Sequence, residues 1–283
     1  MKLENYLPKL AEEFPNLYID GIKEILQEIK KEITVAELSR ILKMKEDTLR
    51  AVFDGRSRCS LGLLKIIFET LKVDLWNKIF NKEIFLDGQN HKKNVKVPKI
   101  LTERISYLLG ALRDGSLTFP DSINFSQKNI KFLRKIRKIL KVEFGANCKI
   151  YGPREEDNCY YIKFQSLGLF AILWILSNWK KGEWKTPEII LKATKELQKF
   201  YIKAFFDAEG SFKSNGNPVI YQTWKDENGC PPLQDISKML FNFGIKSSLY
   251  GPYKGINRPS YELYIPSESK DKFLVLIQDP ILT

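Results

Sequence analysis

Apolar positions over the first eighty residues recur at helical spacing. Across 22–29 they fall three and four apart, which predicts an amphipathic helix. Thr34-Val-Ala-Glu-Leu-Ser-Arg-Ile-Leu opens on a hydroxyl and places Glu37 three residues later, the sign of a capping box. Glu46-Asp-Thr-Leu-Arg-Ala-Val-Phe follows after a very short turn. Beyond Gly55 and a basic loop, one more apolar helix is predicted near 61–71. Residues 84–98 are polar and punctuated by Gly and Pro, and read as a linker. Past them the pattern mixes helical runs with short alternating ones.

That later pattern occurs twice. Tyr107-Leu-Leu-Gly-Ala-Leu-Arg-Asp-Gly-Ser116 and Ile202-Lys-Ala-Phe-Phe-Asp-Ala-Glu-Gly-Ser211 are both largely apolar and both end on an acid, Gly and Ser. Their acids, Asp114 and Glu209, lie 95 positions apart, and a glutamine follows each by thirteen residues, Gln127 and Gln222. Gly145 is followed after six residues by Tyr151-Gly-Pro153, and Gly244 after six by Tyr250-Gly-Pro252. Matches at several fixed offsets indicate duplication. Each half reads as an apolar helix with its acid, then two strands, the second over 123–127 or 219–222. A helix over 130–140 or 233–243 follows, then two strands flanking the Tyr-Gly-Pro turn, then a closing helix over 167–179 or 270–277. The fold class expected is α+β: a pseudo-twofold αββαββα duplication of antiparallel sheets over 99–283, with halves 99–195 and 196–283. A small all-α domain over 1–83 precedes it.

The chain has 283 residues, a formal charge of +12 and a pI near 9.3. Residues 1–98 hold 18 Lys+Arg against 15 Asp+Glu, net +3, and the remainder 28 against 19, net +9. The excess in the duplicated part points to a polyanion such as nucleic acid. No apolar run reaches the roughly 20 residues of a membrane span, and the first residues lack a secretory h-region. The four cysteines show no CxxC spacing, against a zinc site or a disulfide framework, so a cytoplasmic protein is expected. The single histidine, His91, sits in the polar linker, which disfavours chemistry needing a positioned imidazole.

Gly115 and Gly210 stand where a helix C-cap glycine would, which places Asp114 and Glu209 at helix C-termini. That end of the helix dipole is already negative, so two such carboxylates brought together repel. A divalent cation removes the repulsion. Hard carboxylate oxygens suit Mg²⁺ or Mn²⁺, and water on such a metal can attack a phosphodiester. Gly110-Ala111 in one helix and Ala204 with Ala208 in the other would let the two axes approach closely.

The two segments resemble the motif of the LAGLIDADG homing endonucleases in their two-motif, single-chain form, and Phe-Phe-Asp-Ala-Glu-Gly-Ser is a close match. The resemblance covers about residues 99–283. It implies two motif helices packed at a pseudo-dyad and a saddle of two sheets lying along DNA. It also implies motif acids, here Asp114 and Glu209, that bind divalent metal and cut both strands. Gln127-Lys128 fits the family's polar pair on the second strand, and Gln222 fits by spacing, with Thr223 in place of lysine. Lys180 or Lys181 falls where the family often has an assisting lysine. The first motif is one residue short between glycine and acid. The Asp-Gly-Ser ending and the thirteen-residue step select Asp114 as its acid.

The fold so implied puts DNA-facing residues on strands and turns. Asn124, Ser126 and Lys128 form one alternating set, joined by Arg154, Lys163, Gln165, Lys225, Lys254 and Arg258. Tyr151 and Tyr250 are expected to pack in turns, and Lys131, Arg134, Lys135, Arg137 and Lys138 to form the solvated face of a helix. Near the N-terminus, two short helices joined by a tight turn resemble the helix-turn-helix of phage repressors. The resemblance puts 46–53 in a major groove, with Thr48 and Arg50 outward and Arg56 and Arg58 on phosphates. A helical packing module has the same spacing. The reading is a monomeric, site-specific double-strand DNA endonuclease with a long asymmetric target, no membrane partner and Mg²⁺ or Mn²⁺ as cofactor. No Cys or Ser begins the chain, so an intact intein is not expected. A non-cleaving DNA-binding regulator on a degenerate endonuclease fold, or an RNA intron maturase, remains open.

Overall fold

The computed structural model describes residues 1–3, 6–88, 94–179, 185–225, 227–254 and 258–278. The N-terminal part runs α1 (Tyr6–Glu13), β1 (Tyr18–Asp20), α2 (Lys23–Glu32), α3 (Val35–Leu42), α4 (Glu46–Phe53), β2 (Cys59–Ser60), α5 (Leu61–Leu71), α6 (Trp76–Asn81), β3 (Phe85–Asp87) and β4 (Val95–Lys96). The capping box forms as expected: Thr34 accepts from the Glu37 amide while the Glu37 carboxylate accepts from the Thr34 amide. After α3 the turn places Lys43 in the left-handed region, at φ 52°, and α4 begins three residues on. Leu38, Leu49, Val52 and Phe53 are buried, which fixes the angle between the two helices.

Two expectations need correction here. The N-terminal part is helical but not all-α, because its strands form a small sheet in the order β2-β1-β3-β4. The stretch expected to be a linker, 84–98, supplies β3 and β4, which pair with each other antiparallel. The physical reason is that Ile84, Leu86, Val95 and Val97, each two apart within its segment, point to one side and are all buried. His91 lies outside the described residues.

The duplicated part continues with α7 (Glu103–Ala111), β5 (Gly115–Thr118), β6 (Ser122–Gln127), α8 (Ile130–Phe144), β7 (Tyr160–Gln165) and α9 (Leu167–Ser177). After a short α10 (Glu188–Leu191) come α11 (Lys195–Glu209), β8 (Gly210–Phe212), β9 (Pro218–Thr223), α12 (Pro231–Asn242), β10 (Ser248–Tyr253), β11 (Ser260–Tyr264) and α13 (Ser267–Gln278). Both sheets are antiparallel, in the orders β5-β6-β7 and β10-β11-β9-β8. The halves are not equal. In the first, the strand expected before the Tyr-Gly-Pro turn is reduced to a single bridge between Tyr151 and Tyr161.

The N-terminal part docks on the first half through α9, which is apolar on every side because α1, β3 and β6 all pack against it. Phe14 meets Phe170 edge-on at 6.1 Å, Trp174 Nε1 donates to Glu13 at 3.0 Å, and the Tyr6 hydroxyl donates to the Pro98 carbonyl at 2.8 Å. Among the described residues, no helix is long and apolar enough to cross a membrane.

Candidate active site at the pseudo-dyad

Among the described residues, the two motif helices, α7 and α11, pack against each other more extensively than any other helix pair. A Cβ added to Gly110 would lie 2.6 Å from the Tyr201 carbonyl oxygen and 2.9 Å from Ala204 Cβ. Gly110 and Ala204 therefore face each other where the helices cross, and only a residue without a side chain fits at Gly110. From Ala204 to Glu209 the chain takes five α-helical steps. From Gly110 to Asp114 it takes four.

The missing residue is absorbed by the winding. The amides of Arg113, Asp114 and Gly115 donate to the carbonyls of Gly110, Ala111 and Leu112, each at 3.1 Å, which is the i→i+3 pattern of a 3₁₀ turn. Four 3₁₀ residues rise about 8 Å and turn through about 480°, against about 7.5 Å and 500° for five α-helical ones. On ideal geometry, such a winding would bring the acid to nearly the height and angle of a fifth α-helical step. Gly110 keeps its place at the crossing, and Asp114 stays beside Glu209.

Gly210 is the C-cap of α11 as expected, whereas α7 is capped at Leu112, three residues before Gly115. Gly210 sits at φ −87°, ψ 153° and starts β8 directly. A Cβ at Gly115 would meet the Phe125 ring at 2.8 Å, so crowding, not backbone handedness, favours glycine there.

Gln127 ends β6 on the same side as the buried Ile123 and Phe125, facing the helices. Its Nε2 donates to Asp114 Oδ2 at 2.6 Å and reaches the Ala208 carbonyl of the other motif at 3.5 Å. Burial holds the Asp114 carboxyl above its ordinary range, and the Gln127 hydrogen bond partly offsets this. Burial, and then the charge of Asp114, push Glu209 up to about 7. Among the described residues no lysine or arginine pairs with either acid. Gln222 does not mirror Gln127: its Nε2 donates to the Thr223 carbonyl at 3.0 Å, and its buried Oε1 has no hydrogen-bond partner. Lys180 and Lys181 lie outside the described residues.

Residues 196–278 match the family model described as a LAGLIDADG-like domain. The chain is 30% identical over 151 residues to homing endonuclease I-ApeI of Aeropyrum pernix, covering 50% of this chain and 66% of that protein. The chain belongs to the LAGLIDADG family. It is also 23% identical over 254 residues to a glutamine–fructose-6-phosphate aminotransferase of Methanocaldococcus jannaschii, covering 83% of this chain and 22% of that protein. It is 25% identical over 182 residues to an A-type ATP synthase polypeptide of Pyrococcus abyssi, covering 64% of this chain and 17% of that protein. The chain thus spans about a fifth of the length of each of these two relatives. Among solved structures, mesophilic variants of the homing endonuclease I-DmoI superpose with a TM-score of 0.49 at 18% identity, over 65% of this chain and 99% of theirs. Full-length DUF199/WhiA from Thermatoga maritima gives 0.45 at 18%, over 65% and 58%.

In this LAGLIDADG chain the other acid of the second motif, Asp207, joins the halves. It accepts from the Tyr107 hydroxyl at 2.6 Å and from Lys135 at 2.9 Å, with Lys203 at 3.6 Å. Lys135 is therefore not on a solvated face, contrary to expectation, because an acid from the other half draws it inward. Sequence reasoning passed over Asp207, Tyr107 and Lys203. The available signal was a second acid and a lysine inside an otherwise apolar helix.

The residues expected to face DNA in the first half share one sheet face. Asn124 pairs across the strands with Ser116 and Lys163, Ser122 with Gln165, and Ser126 with Tyr161. Lys163, Gln165 and Ser126 are exposed, as is Lys128 just past the strand end. Arg154 donates to Ser126 Oγ at 3.1 Å, pairs with Asp157 and lies 5.6 Å over the Tyr161 ring. In the second half Lys225, Lys254 and Arg258 are exposed beside strand ends. Tyr151 stacks on Tyr161 at 5.3 Å, whereas Tyr250 is tilted against Tyr264 at 6.3 Å. In the N-terminal part Thr48, Arg50 and Arg56 are exposed. Arg58 is not poised for phosphate: it donates to the buried Asp87 at 2.8 Å and lies 4.4 Å over the Tyr18 ring.

Proposed function

We propose that the chain is a site-specific double-strand DNA endonuclease that hydrolyses phosphodiesters with a bound divalent metal, Mg²⁺ or Mn²⁺. The observation that carries this reading is the pairing of Asp114 and Glu209 across the helix crossing, each half-buried and each with a raised pKa. Such a pair suits a hard cation: the donors are carboxylate oxygens, and a cation would offset both the burial and the Asp114 charge that raise Glu209. When bound, the metal would supply an activated water and take up charge on the phosphate. Asp114 and Glu209 would hold it. Gln127 would fix the orientation of the Asp114 carboxylate, since its amide already spans from that oxygen to the Ala208 carbonyl. The exposed polar face of β6 and β7 would lie against the duplex, and Asn124, Ser126 and Lys163 would meet base edges or phosphates there.

The N-terminal helices α3 and α4 would add a second grip on the same DNA, with Arg50 and Arg56 reaching phosphates. Tethering raises the local concentration of each part for the other. The regulator reading drew on the shortened first motif, and the tight winding of 110–114 weakens that support. The test is cleavage of a randomised plasmid library with Mg²⁺ or Mn²⁺. Wild type should linearise a subset, and Glu209→Gln should not. Tight binding to one site with no cutting in either metal would refute the nuclease reading.

A further inference from the structure

A 3₁₀ turn has poorer hydrogen-bond geometry than an α-helix and persists only where its surroundings hold it. In the first motif that turn carries Asp114. Arg113 lies inside it, and its side chain is 6% exposed. Nη2 donates at 3.3 Å to the carbonyl of Ser177, the last residue of α9. Helix C-termini offer carbonyls without helical partners and the negative end of the dipole, which suits a cation. The guanidinium also lies 5.5 Å over the Trp179 ring and beside the hydroxyl of Tyr201 on α11. Tyr201 supplies, through its carbonyl, the surface on which Gly110 packs. One residue of α11 thus bounds the tight turn at its start, by its backbone, and near its end, by its side chain. The corresponding position in the second motif is Ala208, two residues past Phe206 and one before Glu209, where regular α-helix reaches the acid without an anchor.

We propose that Arg113 is a positioning residue for Asp114: its anchored guanidinium holds the motif end in the tight winding that makes up for the missing residue. The proposal deepens the reading of Asp114 as an acid of the site. The direct readout is the Gln127 side-chain amide in the metal-free, DNA-free protein. Its hydrogen bond to Asp114 gives a shifted, slowly exchanging NMR signal in wild type. Arg113→Met should lose that signal, and single-turnover cutting should fall by ~100-fold, as about 1 Å of misplacement does. Inserting one alanine after Ala111 in the Arg113→Met background restores the full motif length, and should restore both the signal and the cutting. A structural role alone predicts no such rescue. Should Arg113→Met not fold, Arg113→Lys keeps the charge without the planar fork; a weakened Gln127 signal supports the proposal and an unchanged one overturns it. A folded Arg113→Met that keeps the signal, or an insertion that does not restore it, also overturns it. If no variant cuts, wild type included, the nuclease reading fails while the Gln127 signal still decides the role of Arg113.

Discussion

Glu209→Gln should stabilise the metal-free protein at alkaline pH and leave it nearly unchanged in acid. The Glu209 carboxyl is lifted from 4.5 to about 7 by burial and by Asp114. Below about pH 4.5 both folded and unfolded chains hold the proton, and the group contributes nothing to pH dependence. Between about 4.5 and 7 the unfolded chain releases its proton while the folded one retains it, so stability falls as pH rises. Above about 7 the full cost persists. At about 1.4 kcal/mol per pKa unit, the rise amounts to about 3 kcal/mol. Glutamine removes that cost, and for a chain of this size the gain corresponds to about 5 °C in Tm. The assay is thermal unfolding of wild type and Glu209→Gln in a chelator at about pH 4.5 and pH 8.5. The variant should gain on wild type between the two pH values, and Mg²⁺ at pH 8.5 should close the gap by stabilising wild type alone. A difference between the proteins that does not change with pH refutes the argument, because any packing effect of the amide is the same at both.

Gly110→Ala should destabilise the protein by about 2 kcal/mol in urea unfolding, since the added methyl meets the Tyr201 carbonyl at 2.6 Å and α7 must move off α11; an unchanged midpoint would argue against the crossing described. Asp207→Asn should cost about 2 kcal/mol, because Lys135 and Lys203 lose their shared carboxylate, and Tyr107→Phe in that background should add less than it does alone, a coupling read from a double-mutant cycle. Arg50→Ala should weaken DNA binding and lower its salt dependence by about one ion without changing the single-turnover cleavage rate. Arg58→Ala should instead lower stability by about 2 kcal/mol and leave that salt dependence alone, because Arg58 is committed to buried Asp87.

Much of this arrangement was legible in the sequence because it rests on local periodicity and fixed spacing. The helix spacing, the Thr34–Glu37 capping box and the thirteen-residue step from each acid to its glutamine need no knowledge of distant contacts. Neither does the duplication, since it shows as like segments at fixed offsets. What the spacing could not give was anything set by a partner remote in the chain. The strands at 85–87 and 95–96 exist because β1 pairs with the first and the first pairs with the second, and two- or three-residue strands carry too few positions for a period to register. Lys135 turns inward because Asp207, 72 residues away, meets it there, and Arg58 turns away from any phosphate because Asp87 does. Gln127 and Gln222 match in spacing yet differ in bonding, since only Gln127 reaches its acid.

The first motif draws the line most clearly. By itself the sequence determined that an acid follows a crossing glycine one residue too soon. Only the tertiary structure decided that both keep their places, because the packing of α7 on α11 and the anchoring of Arg113 at the end of α9 favour a 3₁₀ winding that local propensity alone would not select.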